Sequence, residues 1–229
     1  MGIGDSVLKF VAHSATVLEI AVAHGWLPGA RYTNLRDVRR FSRLGFLDID
    51  WRNYDFRRHL EAAKSTRPKM TVARDIEEKR ELRRIVDQAY RLLEYADYVV
   101  LVPKDALLER RLDKAIPPEF LLGYSVPTLY GGTRLSPEAF RRPVHLLGGR
   151  PDIQRRLGEV MPVFSIDVNR FTLDAAYGDY FDGEAFRPHP IGGYRNCLTD
   201  SVRNISVLWK GYRSAIDWTE DNARRIRSR

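Results

Sequence analysis

The chain is poor in cysteine. Among its 229 residues there is one, Cys197, and a single thiol can form neither an internal disulfide nor a Cys-rich zinc site. A reducing, cytoplasmic setting is the expectation. Lysine is scarce too, with 7 residues against 31 arginines. Apolar runs are short, and none approaches the roughly 20 residues a membrane helix needs, so no membrane partner is expected. The opening MGIGDSVLKF lacks the basic flank and apolar stretch of a secretory signal. Met1-Gly2 with Ser6 fits a loose myristoylation pattern, but VLKFVAHS reads at once as a strand. No Gly-x-Gly-x-x-Gly follows that strand, which removes the usual support for a dinucleotide-binding fold. Linkers and low-complexity tracts are missing as well.

What is present is enough apolar material for one sizeable core, 44% of the residues, and a net charge of +8. Guanidinium forks match phosphate oxygens, so an Arg-rich basic surface suits a nucleic-acid partner, although genome composition alone also enriches arginine.

Apolar or β-branched runs alternate with stretches of helical period. Strands are expected at 8–13, 30–33, 45–50, 69–75, 98–103, 119–126, 143–149 and 163–168. Helices are expected near 15–24, over the basic LRDVRRFSRL (35–44), and near 55–64, 106–114 and 152–160. The clearest helix covers 76–96, where Ile76, Leu82, Ile85, Val86, Ala89, Leu92, Leu93 and Ala96 recur at spacings of three and four. Eight βα units predict an α/β fold, a single compact (β/α)8 TIM-type barrel over residues 1–193. A C-terminal helical extension, 194–229, ends in the basic NARRIRSR.

Such barrels carry their active sites at the C-terminal ends of the strands. Strand three ends with Asp48 and Asp50, strand four with Arg74-Asp75, strand five with Lys104. Strand six runs into GYSVPTLYGG, strand seven into LLGG, and VFSIDVNR ends strand eight on Asp167, Asn169 and Arg170. Carboxylates from three strands therefore converge on one mouth. Each has a plainer reading. Asp75 with Glu78 matches a capping box for the next helix. Asp48 or Asp50 could bind a neighbouring arginine. His145 reads as a packed core histidine, Lys104 as a solvated strand-end residue, and the paired glycines 131–132 and 148–149 as turns.

The segments GYSVPTLYGG, VHLLGG and VFSIDVNR, in that order and spacing, resemble the final strands of the tRNA-guanine transglycosylases. The resemblance covers roughly residues 45–170 and leans toward the divergent DpdA-type DNA-guanine transglycosylases of phages and bacterial genomic islands. It implies base exchange: an aspartate attacks C1′ of a guanosine, guanine leaves, and a 7-deazaguanine such as the 7-cyano form replaces it, with no cofactor. By position, Asp167 matches the nucleophile, Asp75 the residue reading the N1/N2 edge of the base, and Asp48 or Asp50 the general acid/base. Gly123, Tyr124 and Ser125 match the segment lining the base pocket, while Lys104, Gly148, Gly149, Asn169 and Arg170 complete the expected substrate contacts. The chain departs from the pattern in lacking the zinc cysteines, in reading Asp-Ile-Asp-Trp where the family has Asp-Ser-Gly-Gly-Phe, and in carrying Pro127 after strand six. The missing zinc subdomain favours DNA as substrate over tRNA, and a helicase- or ATPase-type partner that opens the duplex stays open. A base-releasing N-glycosidase and a non-catalytic nucleic-acid-binding barrel are the competing expectations.

Overall fold

The computed structural model describes residues 7–129 and 131–213. Met1, Gly2 and Ser6, Tyr130 of the GYSVPTLYGG segment, and the basic NARRIRSR end lie outside the described residues. Eight parallel strands close into a barrel in sequence order: β1 (Leu8–Ala12), β2 (Leu27–Arg31), β3 (Phe46–Asp48), β4 (Met70–Val72), β5 (Tyr98–Leu101), β6 (Leu121–Ser125), β7 (Val144–Leu147) and β8 (Val163–Asp167). The ring is sealed where Leu8 pairs with Ser165 and Phe10 with Asp167. A side-chain clasp reinforces the seam, with Asn169 Oδ1 accepting the backbone N–H of Ala12 at 3.1 Å.

The crossovers hold α1 (Ala15–Ala23), α2 (Phe56–Thr66), α3 (Leu82–Leu93), α4 (Leu112–Ala115) and α5 (Pro151–Leu157), with α6 (Arg170–Ala176) following β8. The periodic α3 buries Ile85, Ala89 and Leu92 against the barrel. Proline-first α5 and Asp55-capped α2 start where sequence rules place helix starts. The β6–β7 crossover carries one 3-10 turn, Pro137–Ala139, and buried Phe140 covers the outer face of β6 there.

Three expectations are corrected. The basic segment 35–44 is not a helix; it forms one 3-10 turn, Arg36–Val38. Its arginines reach outward to different partners, Arg40 to Glu19 and the Ala15 carbonyl, Arg43 to Asp97 at 2.6 Å. Second, the long helix starts at Leu82 rather than Ile76. Ile76 is fully buried and bridges in parallel to Pro103, extending β4 beyond its regular pairing. Asp75 is therefore seven residues short of the helix and does not cap it. Third, residues between α6 and the last helix form an unforeseen antiparallel hairpin, β9 (Asp179–Phe181) with β10 (Phe186–Pro188).

The extension is realised as α7 (Tyr194–Leu208), which buries Cys197, Leu198, Val202 and Ile205. It packs on α1, α6 and β9, and its Ser206 hydroxyl accepts the Trp26 indole N–H at 2.8 Å. Among the described residues no helix is long and apolar enough to cross a membrane.

Candidate active site at the barrel mouth

Asp167 ends β8 with 8% of its surface exposed. Its Oδ1 accepts the backbone N–H of Gly148 at 2.9 Å. Gly148 holds φ +62°, a left-handed conformation that suits glycine, and this turn aims its N–H at the carboxylate. Gly149 follows at φ +88°, and a Cβ there would fall 2.5 Å from a Val126 methyl. Buried Gln154 ties the same corner together, donating to the carbonyls of Gly148 (2.6 Å) and Asp167 (2.9 Å).

Beneath Asp167 lies His145, fully buried between Phe10 and Phe46, with ring centroids 5.9 and 5.0 Å away. Its Nδ1 is 2.8 Å from Ser165 Oγ, whose hydroxyl is directed at Met70 Sδ, 3.7 Å off. Nε2 faces Asp167 Oδ1 at 3.5 Å. Sequence periodicity placed His145 in a strand interior but could not show this pairing, which depends on the register of β7 against β8. That register is irregular: His145 pairs with Ser165 while Val144 pairs with Val163, so Phe164 is the extra residue of a bulge.

Asp48 ends β3 on the other side of the mouth. Its Oδ1 accepts the Ile49 N–H at 2.8 Å, and Arg31 Nε stands 3.9 Å from Oδ2. Burial among neighbouring groups and the charge of Asp167 push its pKa from the ordinary carboxylate range up to about 7, against the pull of the Ile49 N–H and Arg31; Asp75 adds to the rise. Asp50 does a different job. Its Oδ1 accepts the N–H groups of Arg52 (3.2 Å) and Asn53 (3.4 Å), so it shapes the loop after β3.

At the end of β4, Asp75 pairs with Lys104 from the end of β5 at 2.6 Å, and Lys104 reaches Glu77 at 3.1 Å. Burial raises Asp75 above its usual range, and the Lys104 ammonium opposes that shift. Lys104 is thus a partnered mouth residue rather than a solvated one. Gly123 pairs with His145, and a Cβ there would lie 2.6 and 2.7 Å from Val102 and Val100 methyls, so this interior position admits no side chain. Ser125 is half-buried, bound through its backbone to Thr133. Tyr124, by strand alternation, turns out of the barrel and packs edge-on against Phe140 at 5.1 Å. Asn169 is occupied at the β1 seam. Arg170 makes a two-bond pair with Asp174 one helical turn on, at 2.6 and 2.9 Å. The structure thus brings Asp167, Asp48, Asp75 and Lys104 to one mouth, and assigns Asp50, Tyr124 and Asn169 structural contacts.

A cavity of about 470 Å³ opens beside Asp48. His13, Ser14, Arg31, Asn34, Asp37, Asn169 and Thr172 supply its polar lining; of these, sequence reading singled out Asn169 alone, because the rest come from segments that carry no motif. Among the described residues, no group of three or more His, Cys, Asp and Glu side chains is arranged to hold a metal ion.

The model of a family described as "Family of unknown function (DUF6610)" matches residues 21–210. No curated protein matches. Among solved structures, the chain is similar to the YdjI aldolase from Escherichia coli K12, at TM-score 0.56 and 9% identity, covering 90% of this chain and 92% of that one. At that identity the likeness speaks for the barrel fold and not for a reaction.

Proposed function

The chain belongs to the DUF6610 family, whose function is unknown, and from the carboxylates gathered at its mouth we propose that it is a guanine transglycosylase acting on DNA. One observation carries the reading: Asp167 and Asp48 sit on separate strands of one mouth, one oriented by a backbone N–H, the other raised to about 7 and electrostatically coupled to the first. Two carboxylates with divided roles are what exchange at a glycosidic carbon requires.

In the forward step an oxygen of Asp167 attacks C1′ and the C1′–N9 bond breaks. The bonding pair leaves with guanine, and the Asp48 proton neutralises the departing base. An ester between Asp167 and the sugar results. The incoming 7-deazaguanine loses its N9 proton to Asp48, N9 attacks C1′, and Asp167 is released. Both contacts described for Asp167 fall on Oδ1, which leaves Oδ2 as the attacking atom. Asp48 is favoured over Asp50 for the proton because Asp50 is committed to its loop. Asp75 accepts the N1 and N2 hydrogens of the base, with Lys104 holding it in place. The +8 net charge favours a polyanion.

The test is incorporation of labelled guanine or 7-cyano-7-deazaguanine into DNA and tRNA, side by side. Label in DNA that depends on Asp167 supports the reading. Label confined to tRNA moves the substrate, and free guanine without incorporation makes the protein a base-releasing glycosidase. No turnover with salt-sensitive DNA binding indifferent to Asp167 would make it a binding barrel.

Two further outcomes are expected. Asp75→Asn replaces one acceptor by a donor, so selection of guanine over hypoxanthine, measured by competition, should fall roughly 100-fold. His145→Phe keeps the ring between Phe10 and Phe46 but removes both nitrogens. Exchange should slow by about 10–100-fold with a changed pH profile, while the melting temperature moves by only a few degrees. A melting collapse with an unchanged profile would make His145 merely structural.

A further inference from the structure

The loop between β3 and α2 carries Trp51, with 64% of its surface exposed. A singly exposed aromatic is ordinary by itself; what sets Trp51 apart is its support and its place three residues from Asp48. The support is well built. Asp50 closes the turn that carries Trp51 through the Arg52 and Asn53 N–H groups. The Tyr32 hydroxyl donates to the Asn53 carbonyl at 3.0 Å and accepts the Asp55 N–H at 2.9 Å. Tyr32 is itself held by a stack on buried His59, centroids 5.4 Å apart. The Arg52 guanidinium lies over the Trp51 ring, 4.9 Å from its centroid, and must move aside for that face of the indole to stack on a base. Trp51 is only three residues from Asp48, a reach of at most about 10 Å along the chain.

We propose that Trp51 is a wedge that stacks into a DNA duplex at the position vacated when the target nucleotide swings into the mouth. This rests on the transglycosylase reading above. A base cannot meet Asp167 while stacked in the duplex, so it must be extruded, and extrusion leaves a gap with two unstacked neighbours. An apolar or aromatic side chain inserted there replaces part of the lost stacking. Trp51 has the flat apolar face, Arg52 has the charge for an adjacent phosphate, and the anchored loop fixes the pair beside the proton-transferring Asp48. The fit is to a duplex with one nucleotide missing from its stack.

The experiment has two arms. In the first, exchange is measured on a duplex and on single-stranded DNA of the same sequence, for the wild type, Trp51→Ala and Trp51→Phe. The ratio of duplex to single-strand kcat/KM should fall about 10–100-fold in Trp51→Ala and by no more than about 3-fold in Trp51→Phe. An unchanged ratio overturns the wedge. The second arm needs no turnover. Of the four tryptophans, Trp26, Trp51, Trp209 and Trp218, only Trp51 differs between the wild type and Trp51→Phe, so the fluorescence difference between them reports Trp51. At fixed salt, a duplex with an abasic site should quench that signal at lower concentration than the intact duplex. Equal quenching by both, none by either, or quenching by tRNA alone overturns the inference. A protein that exchanges no base yet shows gap-preferring quenching would sink the transglycosylase reading and leave the wedge standing.

Discussion

Asp167→Asn is expected to lower base exchange by at least roughly 1,000-fold while the barrel stays folded. Removing a covalent nucleophile in enzymes of this logic costs factors of that order or more, because the remaining groups bind and orient without opening the easier two-step path. Asparagine is the informative replacement. Its side-chain oxygen can still accept the Gly148 N–H that Asp167 now accepts at 2.9 Å, and the Gln154 contacts run to backbone carbonyls that the substitution does not touch. The far-ultraviolet spectrum and the melting transition should therefore stay close to wild type. Mass spectrometry of acid-quenched protein gives a second readout: a nucleotide-sized adduct on wild type and none on Asp167→Asn. Retention of full exchange by the variant would end the assignment of Asp167 as nucleophile.

Asp48→Asn should combine a large loss of rate with a gain in stability. Losing the proton-transferring group is expected to cost about 100- to 10,000-fold in rate, together with the loss of the pH limb near 7. The stability sign follows from linkage. In the unfolded chain the Asp48 carboxyl ionises near its ordinary value of 3.8, and in the folded protein at about 7. Between those values the folded state binds the extra proton, so stability falls as pH rises through the window, and the cost is complete above about 7. The asparagine variant never ionises and is spared that cost. At pH 8 it should melt higher than wild type by several degrees, taking about 2–4 °C per kcal/mol for a chain of this size, and the difference should shrink toward pH 4. Equal melting temperatures at pH 8 would mean that the carboxylate is well compensated when ionised.

The barrel was legible because parallel strands covered on both faces are written as short apolar runs, and most of the eight have one; β2, LPGAR, does not, and it lies at Leu27–Arg31 rather than the expected 30–33. LKFVA, YVVL and VFSID can hardly be anything else. Asp167 was legible as well, since a carboxylate directly after such a run has to lie at a strand end. What escaped was decided by partners far away in the chain. His145 carries no local mark of its role, which depends on a strand 20 residues on; Asp50 is the exception, since its partners Arg52 and Asn53 are local. The segment 35–44 looks helical in composition, yet its arginines are claimed by Glu19 and by Asp97, which no local period encodes. The β9–β10 hairpin is only three residues per strand, too short to leave an alternation signal.

The seam between β1 and β8 has a consequence for how the protein is made. Ala12 and Asn169, which clasp it, are 157 residues apart. At roughly 5–20 residues per second, a ribosome leaves the edge of β1 without its final neighbour for about 8–30 s after that strand is synthesised. The strand that closes the barrel is also the one that delivers Asp167. No shorter nascent chain can hold both a closed sheet and the Asp167 carboxylate, so on the ribosome the candidate site and the topology are completed in the same event.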